Sequence, residues 1–136
     1  MDSIKSTLNG FVRYRLNTGN LSFVMHRLTG LGTLLFLTIH ILDTSTVYFF
    51  PSLYAHAIDI YRATPFMLLE IVLVFAVIYH GINGARIAIF DLFAPAGWRA
   101  GMEARTAIIS LTAAIILWLP AAYLMGRSML IHNFGF

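Results

Sequence analysis

The stretch that decides the fold is residues 66–93, which read FMLLEIVLVFAVIYHGINGARIAIFDLF. Its apolar run, from Phe66 to Phe90, exceeds the ~20 residues that a helix needs to cross the hydrocarbon of a bilayer. His80 lies deep inside this run. Because an ionisable side chain is costly within a membrane, such a residue is by default interpreted as functional. The stretch therefore predicts a transmembrane helix with a candidate site at His80.

Small residues flank His80 on its own helix face. Ala76, His80, Gly84 and Ala88 follow one another at intervals of four residues, and residues four apart share a face of a helix. Such a face can receive a closely packed neighbouring helix. It can equally receive a flat macrocycle whose metal the imidazole ligates, as in haem proteins. The pattern alone leaves both alternatives open.

The composition indicates a membrane protein. Of the 136 residues, 59% are hydrophobic and 11% are charged, whereas soluble domains carry roughly 25% charged residues. We predict an all-α integral membrane protein that forms a single domain over residues 1–136. The expected transmembrane helices are residues 23–50, 66–93 and 106–127. Three helices of this size enclose little interior, so we also expect partner proteins in the membrane.

The basic residues segregate to one side of the expected membrane. Those that precede or begin the first helix, or lie around the loop after the second, are Lys5, Arg13, Arg15, Arg27, Arg86, Arg99 and Arg105. The other loop and the tail contain Arg62 and Arg127. The positive-inside rule then places the N-terminal segment, residues 1–21, in the cytoplasm. We expect the inner, cytoplasmic membrane of a prokaryote, because residues 1–21 lack the arginine-rich amphipathic pattern of a mitochondrial transit peptide.

The absence of cysteine directs attention to the histidines. Without cysteine, this chain can form no disulfide, thiolate metal site or thiolate-bound iron–sulfur cluster. His40 is a second histidine within an apolar span, and Asp43 could fix one of its ring nitrogens. Counting residues from the basic ends of the helices places His40 and His80 roughly 10 Å apart along the membrane normal. They would therefore serve two haems rather than one iron, or else His40 is a polar residue bonded to a partner helix.

A cationic pair, His26 and Arg27, marks the cytoplasmic boundary of the first helix. A snorkelling arginine, a lipid headgroup contact or an orientation signal would each explain it. The functional alternative is a pocket for a quinone, whose carbonyls would accept hydrogen bonds from Ser22, His26 and Arg27. Arg86, at the same boundary, is either an interfacial charge or a clamp for haem propionates.

Two motifs give the chain a family resemblance. Met25–Gly30, MHRLTG, resembles the His-Arg-x-Ser/Thr-Gly signature of the cytochrome b556 membrane anchor of succinate dehydrogenase, complex II. His80–Arg86, HGINGAR, with Phe90-Asp91 after it, resembles that family's second signature, His-x-x-x-Gly-x-Arg and a later aromatic-Asp pair. Both signatures occur in the family's topological register, and the resemblance covers nearly the whole chain.

The resemblance implies a role in electron transfer. His80 would be an axial ligand of haem b, with the other axial ligand supplied by a second membrane-anchor subunit. His26 and Arg27 would line the quinone site against an iron–sulfur subunit, which receives electrons from a flavoprotein subunit that oxidises succinate. His40 lies where the first helix would ligate the second haem of two-haem members. The chain would not be catalytic alone.

The sequence also departs from the family pattern, and it leaves other functions open. The family often places a quinone-contacting serine three residues before the histidine of the first signature; Phe23 stands there, with Ser22 one residue away. The same chain could serve as the anchor of a fumarate reductase. It could also be a haem-free structural anchor whose histidines bond neighbouring helices.

Overall fold

The computed structural model describes residues 18–135, and within them the chain is helical apart from short connections. The helices are α1, Thr18–Phe49; α2, Pro51–Tyr61; α3, Thr64–Phe93; and α4, Ala100–Phe134. A single 3-10 turn, Pro95–Gly97, lies between α3 and α4. The three longer helices are long and apolar enough to cross a membrane, which confirms the all-α transmembrane prediction. Except for residues 18–21, the predicted N-terminal segment lies outside the described residues.

Prolines set the helix boundaries on one side of the bundle. Pro51 is the first residue of α2 and Pro65 lies in the first turn of α3, positions where the missing proline N–H would have had no helical partner. At the far end of α4, Gly135 adopts a left-handed conformation with φ 72° and its N–H bonds the carbonyl of Ile131, as helix C-caps commonly do. The side with Phe49 and Thr64 is hereafter the distal end, and the side with Thr18 and Phe93 is the proximal end.

The first and third long helices exceed the spans expected from sequence. α1 is Thr18–Phe49 where residues 23–50 were expected, so it begins five residues earlier and ends one residue earlier; α4 is Ala100–Phe134 where residues 106–127 were expected. At 1.5 Å per residue, the 35 residues of α4 reach about 50 Å, well beyond the ~30 Å of hydrocarbon. The additional turns are more polar than the apolar centres, so a count of apolar residues could not include them.

α3 is the central helix, packing against α4 most extensively and against α1 next. The buried residues of α3 are Ala76, Tyr79 and Asn83, and α4 contributes the buried alanines Ala107 and Ala114. Small residues let helix backbones approach closely in lipid, where van der Waals contact and hydrogen bonds replace the hydrophobic effect as the driving force. The result is a thin core of alanines with a few polar side chains.

Aromatic residues fix α4 against the middle of α3. The Trp118 indole donates a hydrogen bond of 2.9 Å to the carbonyl of Ile71. The Phe75 ring lies between the two helices, edge-on to Trp118 at 5.6 Å and stacked on Tyr79 at 5.9 Å. Pro120 lies within α4 without ending it, and the neighbouring helix and local adjustment can accommodate a proline in a transmembrane helix.

Hydrogen bonds between side chains and loops close the distal end. Tyr61 of α2 donates to the carboxylate of Asp43 in α1, and this bond raises the pKa of the Tyr61 phenol above its usual value. Asn133 of α4 donates to the carbonyl of Arg62 at 3.3 Å and to the hydroxyl of Thr64 at 3.0 Å. The short helix α2 is thereby tied to α1, and the end of α4 to the start of α3.

Candidate functional site

His26 and His80, which the sequence singled out separately, lie against each other in the structure. Their rings are parallel within 7°, with centroids 4.2 Å apart. The Nδ1–H of His80 donates a hydrogen bond of 3.1 Å to the backbone carbonyl of His26. A neutral imidazole that donates through Nδ1 carries its lone pair on Nε2. Among residues 18–135, Nε2 of His80 has no hydrogen-bond partner, so its lone pair is available to a ligand.

Two glycines make this close approach possible. A Cβ at Gly30 would lie 2.7 Å from Cε1 of His80, closer than real Cβ contacts allow. A Cβ at Gly84 would lie 3.4 Å from Cε1 of His26. Each histidine thus occupies the space beside a glycine of the opposite helix. The small residues around His80 pack against α1, which is the first of the two alternatives that the pattern left open. The Nε2 atom of His80 has no partner among the described residues and can bind a ligand.

An apolar groove opens between α1 and α3, one helical turn from His80. Its volume is about 260 Å³. The residues that line it are Leu28, Thr29, Gly32, Leu69, Val72, Leu73 and Ala76. The hydroxyl of Thr29 bonds the carbonyl of Met25 in its own helix, at 2.7 Å, and so presents no free donor to the groove. The groove suits a flat apolar group rather than a polar one.

Four residues on the proximal side of the histidines form a buried hydrogen-bonded group, called here the polar cluster: Ser22, Tyr79, Asn83 and Arg86. The Ser22 hydroxyl donates to Oδ1 of Asn83 at 3.2 Å and lies 3.3 Å from the Tyr79 hydroxyl. Nη2 of Arg86 reaches the same Ser22 oxygen at 3.5 Å. Ser22 is 5% exposed, Tyr79 1% and Asn83 0%. Ser22, a predicted quinone contact, is therefore enclosed and already bonded.

The sequence analysis assigned no role to Tyr79 or Asn83. A signal was present for Asn83, because an amide inside an apolar span needs a hydrogen-bond partner. Tyr79 gave less indication, because a tyrosine in a span is an ordinary core residue. Only the packing of α1 against α3 shows that both side chains meet Ser22.

Arg86 extends the polar cluster to α4. Its Nη1 donates to the carbonyl of Glu103 at 3.2 Å and reaches the hydroxyl of Thr106 at 3.4 Å. Within residues 18–135, three buried side-chain nitrogens lack a hydrogen-bond partner: Nε of Arg86, Nδ1 of His26 and Nδ2 of Asn83. Buried polar groups are normally paired. Nε of Arg86 and Nδ2 of Asn83 always carry hydrogens, so both are donors, and the Arg86 guanidinium suits an acceptor such as a carboxylate oxygen.

The structure corrects the predicted surroundings of His40. Asp43 bonds Tyr61 instead of fixing a nitrogen of His40. His40 is exposed and stacks on Phe36, with ring centroids 5.3 Å apart. It does not share the partly buried face of α1 on which His26 lies.

The depth of His40 relative to His80 is also larger than predicted. His80 contacts α1 between His26 and Gly30. His40 lies 10 to 14 residues further along the same helix, a distance of about 15–21 Å rather than roughly 10 Å. The larger separation reinforces the inference that the two imidazoles cannot ligate one iron from opposite sides.

Arg27 is the accessible member of the predicted quinone pocket. Its side chain is exposed, and its guanidinium lies 5.4 Å from the centre of the Phe23 ring, within the range of a cation–π contact. His26 is half-buried beside it. The structure thus leaves Arg27 and the His26 ring, but not Ser22, open to a ligand at the proximal end.

The chain is similar to known proteins over most of its length. A family described as the succinate dehydrogenase/fumarate reductase transmembrane subunit matches residues 1–121. The succinate dehydrogenase 2 membrane subunit SdhC of Mycobacterium tuberculosis is 30% identical over 121 residues. That alignment covers 88% of this chain and 85% of the mycobacterial one, so the two proteins correspond over nearly their full lengths.

Gly30 and Gly32 provide a matched test of the histidine site. We expect Gly30→Ala to lower the midpoint of thermal unfolding, because its Cβ would displace the His80 ring from the His26 carbonyl. A Cβ at Gly32 meets nothing within 4 Å, and alanine stabilises a helix interior by about 0.5–1 kcal/mol relative to glycine. Gly32→Ala should therefore leave the midpoint unchanged or raise it. Circular dichroism of the detergent-purified protein measures both, and a Gly30→Ala midpoint at or above that of Gly32→Ala would contradict the packing.

Proposed function

Because the chain belongs to the succinate dehydrogenase/fumarate reductase transmembrane subunit family, we propose that it is the cytochrome b anchor of a succinate:quinone oxidoreductase. The proposal rests on the hydrogen bonding of the two ring nitrogens of His80. Its ring is fixed through Nδ1 by a backbone carbonyl and its Nε2 is unpaired among the described residues. This is how proteins hold a ligating histidine, since the bond to the second nitrogen sets both tautomer and ring orientation.

The residues around His80 fit a haem b. The apolar groove between α1 and α3 would accommodate part of a macrocycle, and Nε2 of His80 would ligate its iron. The unpaired Nε of Arg86 and the His26 ring are donors suited to its propionates. When bound, haem b supplies reversible one-electron transfer. A second membrane-anchor subunit would provide another ligand to that iron.

The proximal end would form part of the quinone pocket. The exposed Arg27 and half-buried His26 can donate hydrogen bonds to quinone carbonyls while the quinone tail remains in lipid. A flavoprotein subunit would oxidise succinate, and an iron–sulfur subunit docked at this end would pass the electrons on. The sequence has no cysteine to hold such clusters, which agrees with their residing in a separate subunit.

His40 is the candidate ligand of a second haem. It is exposed on α1 within the apolar span and lies far from His80 along the helix axis. The distance suits two haems at different depths of the membrane. His40 would provide one ligand, and the partner anchor would again provide the other.

The charge distribution supports a cytoplasmic proximal end in the inner membrane of a prokaryote. Within the described residues, the arginines near that end are Arg27, Arg86, Arg99 and Arg105. The distal end and the loop at it carry Arg62 and Arg127. Because positively charged residues favour the cytoplasmic side, quinone would react on the cytoplasmic face.

Two other functions remain candidates. A fumarate reductase anchor would use the same residues, and the direction of electron flow would depend on the quinone potential and the soluble subunits. A haem-free structural anchor is favoured by one observation: His26 and His80 already pack against glycines of the opposite helix. Haem content decides between that anchor and a cytochrome.

Replacing His80 tests the haem ligand. We expect His80→Gln to lose haem b from the purified complex, because glutamine can still bond the His26 carbonyl but is a poor iron ligand. His132→Gln, at the exposed end of α4, is the control and should keep its haem. The pyridine haemochrome assay on the intact, gently purified complex gives haem per complex. Unchanged haem and an unchanged spectrum in His80→Gln would refute the ligand assignment, and a wild-type complex without haem would refute the cytochrome.

Replacing His40 tests the second haem. We expect the wild-type complex to contain two haems and His40→Leu to contain one, because leucine leaves that iron without its ligand from α1. The same assay counts them, and reduced-minus-oxidised spectra show which component is lost. A wild-type complex with a single haem, or an unchanged count in His40→Leu, would leave His40 without this role.

Replacing Arg27 tests the quinone pocket. We expect Arg27→Ala to raise the KM for quinone at least about tenfold, because a hydrogen bond to a charged group contributes about 1.5–3 kcal/mol. Succinate oxidation with a soluble artificial electron acceptor should not change, because the flavoprotein subunit is not affected. Arg62→Ala, at the distal end, is the matched control. Equal quinone kinetics in the two variants would exclude Arg27 from the pocket.

A further inference from the structure

Asn83 stands out because it is fully buried in a transmembrane helix and yet has no place in the proposed haem or quinone contacts. Its exposed fraction is 0%, and its Oδ1 accepts the hydroxyl hydrogen of Ser22 at 3.2 Å. Ser22 lies four residues before His26, one turn along the same face of α1. Asn83 lies three residues after His80 on α3. The bond between Ser22 and Asn83 therefore lies one turn from the two histidines on both helices.

Apart from the bond of His80 to the backbone carbonyl of His26, the contact between α1 and α3 near this point has little else to fix its register. Gly30 and Gly84 leave space for the histidine rings but have no side chains that could form hydrogen bonds. The methyl group of Ala76 cannot form hydrogen bonds either. A slide of α1 by one residue would move its side chains by about 1.5 Å and turn them by about 100°. Such a slide would break the Ser22–Asn83 bond and carry His26 away from Gly84.

Tyr79 and Arg86 also bond Ser22 and so further restrict the position of α1. The Tyr79 hydroxyl is 3.4 Å from the Ser22 carbonyl as well as 3.3 Å from its hydroxyl. Arg86 connects Ser22 to the Glu103 carbonyl of α4. Breaking the cluster would leave buried polar groups without partners, which is costly in an apolar environment. Only one orientation of α1 about its own axis therefore allows all the hydrogen bonds of the polar cluster to form.

We propose that Asn83 is a positioning residue for the quinone pocket: by holding Ser22 it sets the rotation of α1, and with it the direction of His26 and Arg27. Ser22 then acts through Asn83 and Tyr79 rather than by contacting quinone. This inference rests on the proposed function, since it supposes that quinone binds at His26 and Arg27. Asn83 itself touches neither haem nor quinone.

Asn83→Leu in the complete complex tests the inference. Leucine is similar in size and suits the apolar surroundings but cannot accept the Ser22 bond. An interhelical hydrogen bond in a membrane is strong enough to change an equilibrium about three- to tenfold, so we expect the quinone KM to rise by that factor. The maximal rate, the haem content and the activity with an artificial acceptor should stay within about twofold of wild type, because His80 keeps its bond to the backbone carbonyl of His26 and the soluble subunits do not change.

Four further variants make the result specific. Asn83→Asp keeps an acceptor for Ser22 at the same position, and the guanidinium of Arg86, which reaches the same Ser22 hydroxyl, can balance its charge. This variant should have a quinone KM near that of wild type. Ser22→Ala should raise KM as Asn83→Leu does, and the double variant should be no worse than either alone, because both remove one interaction. Ser45→Ala is the control, since that hydroxyl bonds the Leu42 carbonyl within α1; it should leave KM unchanged.

The outcomes separate this inference from the proposed function. Unchanged KM in both Asn83→Leu and Ser22→Ala would overturn the inference, and so would additive effects in the double variant. If Asn83→Leu does not assemble, Ser22→Ala decides alone. A parallel fall of haem content, rate and thermal stability in Ser22→Ala would show a purely structural role and would also overturn it. A wild-type complex without quinone-dependent activity would instead refute the proposed function.

Discussion

The hydrogen bond from His80 Nδ1 to the carbonyl of His26 is the interaction on which the rest of the site depends. It joins α1 and α3 at the level of the candidate ligand, and it decides which ring nitrogen keeps the lone pair. The bond can form only because Gly30 leaves room for the imidazole; a Cβ there would lie 2.7 Å from the ring. One glycine on α1 therefore controls the chemistry of a histidine on α3.

Polar side chains carry an unusually large share of the packing in this bundle. A few alanines and Tyr79 are its only buried apolar residues within the described part of the chain, beside the polar Ser22, Asn83 and Ser110. In lipid, apolar side chains gain little by leaving one hydrocarbon environment for another, so close contact and hydrogen bonds provide the specificity. The cluster beneath the histidines follows from this constraint, and it is also where α1, α3 and α4 meet. Stability and site geometry consequently depend on the same residues.

The sequence predicted the three long helices from apolar length, and it singled out His80 as an ionisable residue within one of them, because both are local patterns. It did not predict the depth of His40. The prediction treated Arg27 and Arg86 as lying at one level, whereas Nη2 of Arg86 reaches Ser22. Ser22 is five residues from Arg27, or about 8 Å along the helix, which accounts for most of the discrepancy. Relative depth depends on how two helices pack, and no single segment contains that information.

The same reasoning constrains what lies against His40. An imidazole exposed within an apolar span keeps two polar nitrogens at a depth where hydrocarbon satisfies neither. Phe36 covers one face of the ring, but an aromatic face cannot replace an in-plane hydrogen bond or a metal. The carboxylate of Asp43 accepts a hydrogen bond from Tyr61 instead of bonding His40. Whatever adjoins α1 at this level in the membrane must therefore provide either a hydrogen-bonding group or an iron, and lipid chains provide neither.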